Sequence, residues 1–195
     1  MTEHARDDKQ ILRAAVRERR RQRPAAERAA AAEGIRSQLD ALVKRLGAGS
    51  LACYLSTASE PATRPFLQTA TTGGLRVLLP LVRADGLLDW AVAEPDGDET
   101  RGSLGVPEPT GDRLPAEAAE GVDVVLVPAA AVDRHGVRLG WGRGFYDRTL
   151  ASLTHRPPVY AVIYDSELVD RVPRDPHDQP VDGVVTPTRT VLLTG

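Results

Sequence analysis

The chain has 195 residues with 25 basic and 27 acidic side chains, a formal net charge of −2, and a hydrophobic share of 42%. That length and balance suffice for one well-buried core and exclude wholesale disorder. The single cysteine, Cys53, excludes an intramolecular disulfide and any multi-cysteine metal site.

Residues 5–22 read as a helix with Ile11, Leu12, Ala15 and Val16 as its apolar stripe. Pro24 closes it and opens a second helix to about Leu46, on which Ile35, Leu39, Leu42, Val43 and Leu46 recur at helical spacing until Gly47 and Gly49. The period then changes. Residues 50–55 form a short apolar run expected of a buried strand, and 60–63 turn into a helix holding Phe66 and Leu67. Strands follow at 77–80 and 87–92, then a stretch over 94–121 without periodicity, expected to be a functional loop. Residues 122–128 are β-branched and end on Pro128, a strand. A helix at about 145–153, a strand at 159–164 and a last strand at 191–193 complete the reading. Strands alternating with helices predict a three-layer α/β/α sandwich around a mostly parallel sheet, with ligands beyond the carboxyl ends of the strands. The expected organisation is one domain over 1–195, basic helices in 1–46 and an α/β body over 50–195.

No apolar run approaches the roughly 20 residues of a membrane span, and the first residues lack a signal's apolar core, so the cytoplasm is expected. Charge is unevenly spread: residues 1–45 carry twelve Lys/Arg against seven Asp/Glu, with lysine only at Lys9 and Lys44 in the whole chain. A basic end on an acidic body suits nucleic acid, a membrane surface or a small polyphosphate. With aromatics at 4%, stacking platforms for nucleic acid are lacking.

The segment 133–148 carries the chemistry. Gly140, Gly142 and Gly144 alternate just before a helix, which lets backbone N–H groups converge on an anion at the helix N-terminus. Arg138 and Arg143 flank them with phosphate-matching forks, and Asp147 on the first turn is placed to hold Mg²⁺. The pattern is not a dinucleotide fingerprint, because position 145 is Phe145, and no lysine completes a P-loop. A plain glycine turn is the alternative. Lys9, Arg13 and Arg17, four apart, share a helix face that either reaches a triphosphate or is solvated surface. Glu60 reads equally as ligand contact and as turn carboxylate, and Asp178 and Asp182 sit where turn chemistry also explains acids. His4, His135, His155 and His177 show no metal-ligand spacing, and Cys53 reads as core.

Residues 125–128 followed by Asp133, Gly136, Arg138-Leu139-Gly140, Gly142, Gly144 and Tyr146-Asp147-Arg148 resemble the signature of the 5-formyltetrahydrofolate cyclo-ligases, also called methenyltetrahydrofolate synthetases. Lys9, Leu12 and Arg13 are similar to that family's nucleotide motif. Tyr54-Leu55-Ser56 with Glu60 looks like its folate-side segment, and Gly105-Val106-Pro107-Glu108-Pro109 like its mid-chain stretch. Phe145 stands where the family usually has tyrosine. The resemblance implies the fold of sugar-phosphate isomerases and CoA transferases, and an ATP- and Mg²⁺-dependent closure of 5-formyltetrahydrofolate to 5,10-methenyltetrahydrofolate. It implies that Lys9, Gln10, Ile11, Leu12 and Arg13, with Arg138, Leu139, Gly140, Trp141, Gly142, Arg143, Gly144, Phe145 and Tyr146, bind ATP. Leu55, Glu60, Trp141, Gly142, Arg143, Gly144 and Phe145 would contact the folate. Asp147 and Asp178 would take the metal, and Arg138, Arg143 and Tyr146 would be catalytic. The expected partners are these small molecules, with no nucleic acid and no membrane, and a monomer is expected. A related-fold isomerase or transferase acting on a phosphorylated metabolite without ATP is the rival reading.

Overall fold

A computed structural model describes residues 3–95, 97–102, 107–175 and 177–193. In chain order the elements are helices α1 (Glu3–Gln22) and α2 (Ala25–Leu46), strand β1 (Ser50–Ala52), helix α3 (Arg64–Thr72), strands β2 (Arg76–Val82) and β3 (Leu88–Val92), and a hairpin of β4 (Glu99–Arg101) and β5 (Pro107–Pro109). A 3₁₀ turn (Ala116–Gly121) then leads to β6 (Val124–Pro128), β7 (Ala131–Asp133), β8 (Arg138–Leu139) and α4 (Phe145–Ser152). Next come β9 (Val159–Val162), a second 3₁₀ turn (Asp165–Glu167), β10 (Leu168–Val169), β11 (Gly183–Val185) and β12 (Thr190–Leu192).

The main sheet has the order β12-β11-β9-β6-β1-β2-β3. Its inner strands are parallel, while β3 on β2 and β12 on β11 run antiparallel at the two edges. Alternation along β6 sends Val124 and Leu126 to one face and Val125 and Val127 to the other. The first face packs on Ile35, Leu39 and Leu42 of α2 and Phe66 of α3. The second packs on Trp90, Ala119 of the 3₁₀ turn and Leu150 of α4. Helices thus cover both faces, the mostly parallel three-layer arrangement expected. Each fully buried aliphatic side chain there contributes roughly 1.5–3 kcal/mol.

A small sheet ordered β10-β7-β8 follows the carboxyl end of β6, and α1 docks on it through Val16, beside Ala130, Ala131 and Leu139. This docking is unusually polar. Ile11, expected in the apolar stripe, is 67% exposed, whereas Lys9 and Arg20 are 5% and 3% exposed. Arg20 makes paired 2.7 Å bonds to both oxygens of Glu167 and a third, at 2.8 Å, to the Ala129 carbonyl.

The structure corrects several boundaries. The strand expected over 50–55 ends at Ala52, because after Cys53 donates to the Leu78 carbonyl at 2.9 Å the chain leaves the sheet to build the site. The stretch over 94–121 contains the β4–β5 hairpin and a 3₁₀ turn, and β11 lies at the end of a proline-rich stretch read only as turns. Pro24 sits at the N-cap of α2 rather than inside its first turn.

Candidate active site

Two segments meet at the carboxyl end of the parallel strands. The first, after β1, is fixed by its own side chains. Thr63 Oγ1 donates to the Tyr54 carbonyl at 2.7 Å, and Glu60 Oε2 accepts from the Thr57 N–H and hydroxyl at 2.8 and 2.9 Å. Glu60 is therefore a turn carboxylate, and it also lines a cavity. The second segment is the glycine loop between β8 and α4.

In that loop Gly142 (φ 95°) and Gly144 (φ 69°) adopt the left-handed conformation that favours glycine. Gly140 does not; there, a Cβ would lie 2.9 Å from Arg138 Nη1, so close approach of a guanidinium is what requires glycine. Arg138 is 4% exposed. Its Nη2 donates to Asp147 Oδ1 at 2.6 Å and its Nη1 to the Pro128 carbonyl at 3.3 Å, while Asp147 Oδ1 also accepts from the Gln179 N–H at 3.2 Å. Arg13 Nε, from α1, donates to the Gly140 carbonyl at 2.8 Å. Trp141 has the guanidiniums of Arg17 and Arg20 within 5.2 and 5.0 Å of its ring centre, a cation–π contact that holds the loop to α1. Arg148 Nη2 donates to the Arg143 carbonyl at 2.8 Å.

The loop separates two cavities. One, of about 430 Å³, is mainly apolar and is lined by Leu55, Glu60, Trp141, Arg143, Phe145 and Tyr146, among others. The second, of about 360 Å³, is charged and is lined by Arg6, Lys9, Gln10, Arg13, Asp175 and Asp178, with Leu139 and Gly142. Arg138, Gly140, Gly144 and Asp147 border both. In the charged cavity Lys9 Nζ donates to Asp175 at 2.8 Å and to Asp178 at 2.6 Å. The bond from Lys9 holds the Asp175 carboxyl below the usual aspartate range. Burial and neighbouring Arg17 lower the pKa of Arg13 from its very high starting value.

Ile11 and Leu12 line neither cavity; Leu12, on the inward face of α1 that also carries Lys9, Arg13 and Val16, packs beside Val16 instead. Gly142 borders the charged cavity alone, and Trp141, Arg143, Phe145 and Tyr146 the apolar one alone. Of the mid-chain stretch, Gly105 and Val106 lie outside the described residues. Glu108 lines the apolar cavity and accepts from the Val82 N–H at 3.2 Å. The sequence reading missed Asp175, which is separated from Lys9 by 166 positions, and Arg6. It placed Arg20 in no role.

The donors suit their proposed ligands. Lysine and arginine side chains with backbone N–H groups of a left-handed loop match a polyphosphate. Among the described residues no cluster of three or more His, Cys, Asp or Glu could hold a metal by itself. Asp147 and Asp178 on one cavity fit Mg²⁺, which commonly takes one or two carboxylates and completes its shell with phosphate oxygens and water. Among the described residues no helix is long and apolar enough to cross a membrane.

A family model described as the 5-formyltetrahydrofolate cyclo-ligase family matches residues 5–187. A 5-formyltetrahydrofolate cyclo-ligase of Mycolicibacterium smegmatis is 40% identical over 189 residues, covering 94% of this chain and 96% of the relative. One from Escherichia coli is 34% identical over 147 residues, covering 73% and 80%. The solved 5,10-methenyltetrahydrofolate synthetase of Aquifex aeolicus superposes with a TM-score of 0.81 at 29% identity, over 96% of this chain and 93% of that one. On the match of its sequence and its fold, this chain belongs to the 5-formyltetrahydrofolate cyclo-ligase family.

Proposed function

We propose that this protein closes 5-formyltetrahydrofolate to 5,10-methenyltetrahydrofolate with ATP and Mg²⁺, releasing ADP and phosphate. The observation that carries the reading is the shared wall. An apolar cavity sized for a heteroaromatic ring and a charged cleft suited to a triphosphate meet at Arg138, Gly140, Gly144 and Asp147. Two substrates that must exchange a phosphoryl group need such a junction, because phosphoryl transfer asks the protein mainly for positioning and charge neutralisation.

On this reading Leu55, Glu60, Trp141, Phe145 and Tyr146 hold the folate ring. Lys9, Gln10, Arg13 and the loop N–H groups hold the triphosphate. Arg138 lies where the γ-phosphate meets the formyl oxygen and offsets charge developing there, with Arg143 and Tyr146 on the folate side. The formyl oxygen takes the γ-phosphoryl group as ADP leaves. N10 then attacks the activated carbon, phosphate departs carrying the former formyl oxygen, and the N10 proton is lost. Asp147 and Asp178 are the proposed metal ligands; bound Mg²⁺ supplies charge neutralisation at the β- and γ-phosphates. Residues of one domain line both cavities, which supports a single-domain working unit acting on small molecules.

The test is the absorbance of the methenyl product with purified protein, ATP, Mg²⁺ and 5-formyltetrahydrofolate. Product formed only when ATP is present supports the reading. Absence of product, or product without ATP, overturns it.

A further inference from the structure

Among the described residues six buried side-chain polar atoms have no hydrogen-bond partner, and four of them belong to residues around the apolar cavity: Tyr54 Oη, Arg138 Nε, Trp141 Nε1 and Tyr146 Oη. Buried polar groups are nearly always satisfied in native proteins, so a cluster of exceptions around one cavity points to a ligand. Each of the four is an N–H or O–H donor. Arg138, Trp141 and Tyr146 come with the glycine loop. Tyr54 comes from the other segment, two residues past the end of β1, and the sequence had given it no role of its own.

Tyr54 is 4% exposed. Its backbone is already fixed by the Thr63 hydroxyl on its carbonyl, and its ring packs in the core with Leu55 and Phe66. Neither contact uses the phenol oxygen. Burial, and then the negative charge of Glu60, push the phenol well above its ordinary pKa, so it stays a neutral donor. Two unpartnered hydroxyls, from two segments that line one cavity, form a donor set for a ligand rich in acceptors and poor in charge.

We propose that Tyr54 is a further substrate-binding residue: its hydroxyl donates a hydrogen bond to an acceptor atom of the ring system that fills the apolar cavity. The proposal rests on the cyclo-ligase reading. A site built to hydrogen-bond a substrate gains its discrimination from donors that are left unpaired when the matching acceptor is missing.

Tyr54→Phe removes the oxygen and keeps the ring. In the ligand-free protein it removes an unsatisfied group, so the melting temperature should hold or rise. The expected kinetic result is a ten- to hundredfold fall in kcat/KM for 5-formyltetrahydrofolate with the KM for ATP unchanged. Wild-type kinetics in Tyr54→Phe would make the tyrosine mere packing and overturn the proposal. A lowered melting temperature would reveal a protein partner for the hydroxyl and overturn it equally. Wild-type protein without methenyl product sinks the cyclo-ligase reading and this proposal together; wild-type turnover with an unaffected variant removes Tyr54 alone.

Discussion

Arg138 Nη2 and Asp147 Oδ1 are 2.6 Å apart, and this bond joins the strand entering the glycine loop to the helix leaving it. The pair closes the loop at its base. Both residues border both cavities, so the same contact that shapes the loop shapes the wall between them.

Asp147→Asn keeps the size of the side chain but removes the charge. The nearby guanidinium loses its anion and the proposed metal site loses a hard ligand. The expected outcome is a fall in kcat of at least about a hundredfold, as for other losses of transition-state charge stabilisation. Rates measured across a Mg²⁺ titration check it. Near-wild-type turnover at saturating Mg²⁺ would leave Asp147 as a structural partner of Arg138 only.

Lys9→Ala should weaken ATP binding far more than folate binding. It removes a cation and also leaves Asp175 and Asp178 without the lysine they share, so the cleft becomes more negative. Losing a charge-assisted contact costs about 1.5–3 kcal/mol, roughly ten- to a hundredfold in affinity. Lys44→Ala, near the end of α2, is the control. Calorimetric titration with ATP compares the two, and equal small effects would return Lys9 to a purely structural role.

The sequence made the long helices and the central strands legible because each buries one face over several turns or a whole β-branched run; Ile35, Leu39 and Leu42 all proved buried. It left β11 unread because Gly183–Val185 is too short to show a period beside so many prolines. The glycine loop was legible because its residues are contiguous. Asp175, Arg20 with Glu167, and the Tyr54 hydroxyl were not, because their meaning lies in contacts across 147 to 166 positions or in a partner that is missing. Ile11 misled by residue type: α1 docks through buried charged side chains and Val16, so an apolar residue on its outer face stays in solvent.

Gly142→Ala tests the loop's conformation. At φ 95° an alanine is strained, while its nearest neighbour, Arg13 Cζ, would be an ordinary 3.5 Å away. The backbone penalty of about 1–2 kcal/mol should lower the melting temperature by several degrees at most. Displacement of the loop beside Arg13 should raise the KM for ATP. Lost stability with intact ATP kinetics would reduce the loop to a plain turn.

Cys53 is fully buried, and burial pushes its thiol from 9.0 to about 12. It should resist thiol reagents at pH 8 in the native state and react once the chain is unfolded in denaturant. The linkage has a definite sign. The folded pKa is raised, so its contribution is complete below pH 9.0 and is lost as pH rises toward about 12, at a limiting slope of about 1.4 kcal/mol per pH unit. Denaturant melts of wild type and Cys53→Ala across that range check this: the variant should lose less stability with rising pH.

The central claim is that two substrates meet across one wall, and the most direct measurement follows ADP and methenyl product in the same reaction mixture. Equal amounts of the two are expected, with no ADP when 5-formyltetrahydrofolate is left out. ADP released without the folate, or methenyl product formed without ADP, would contradict it.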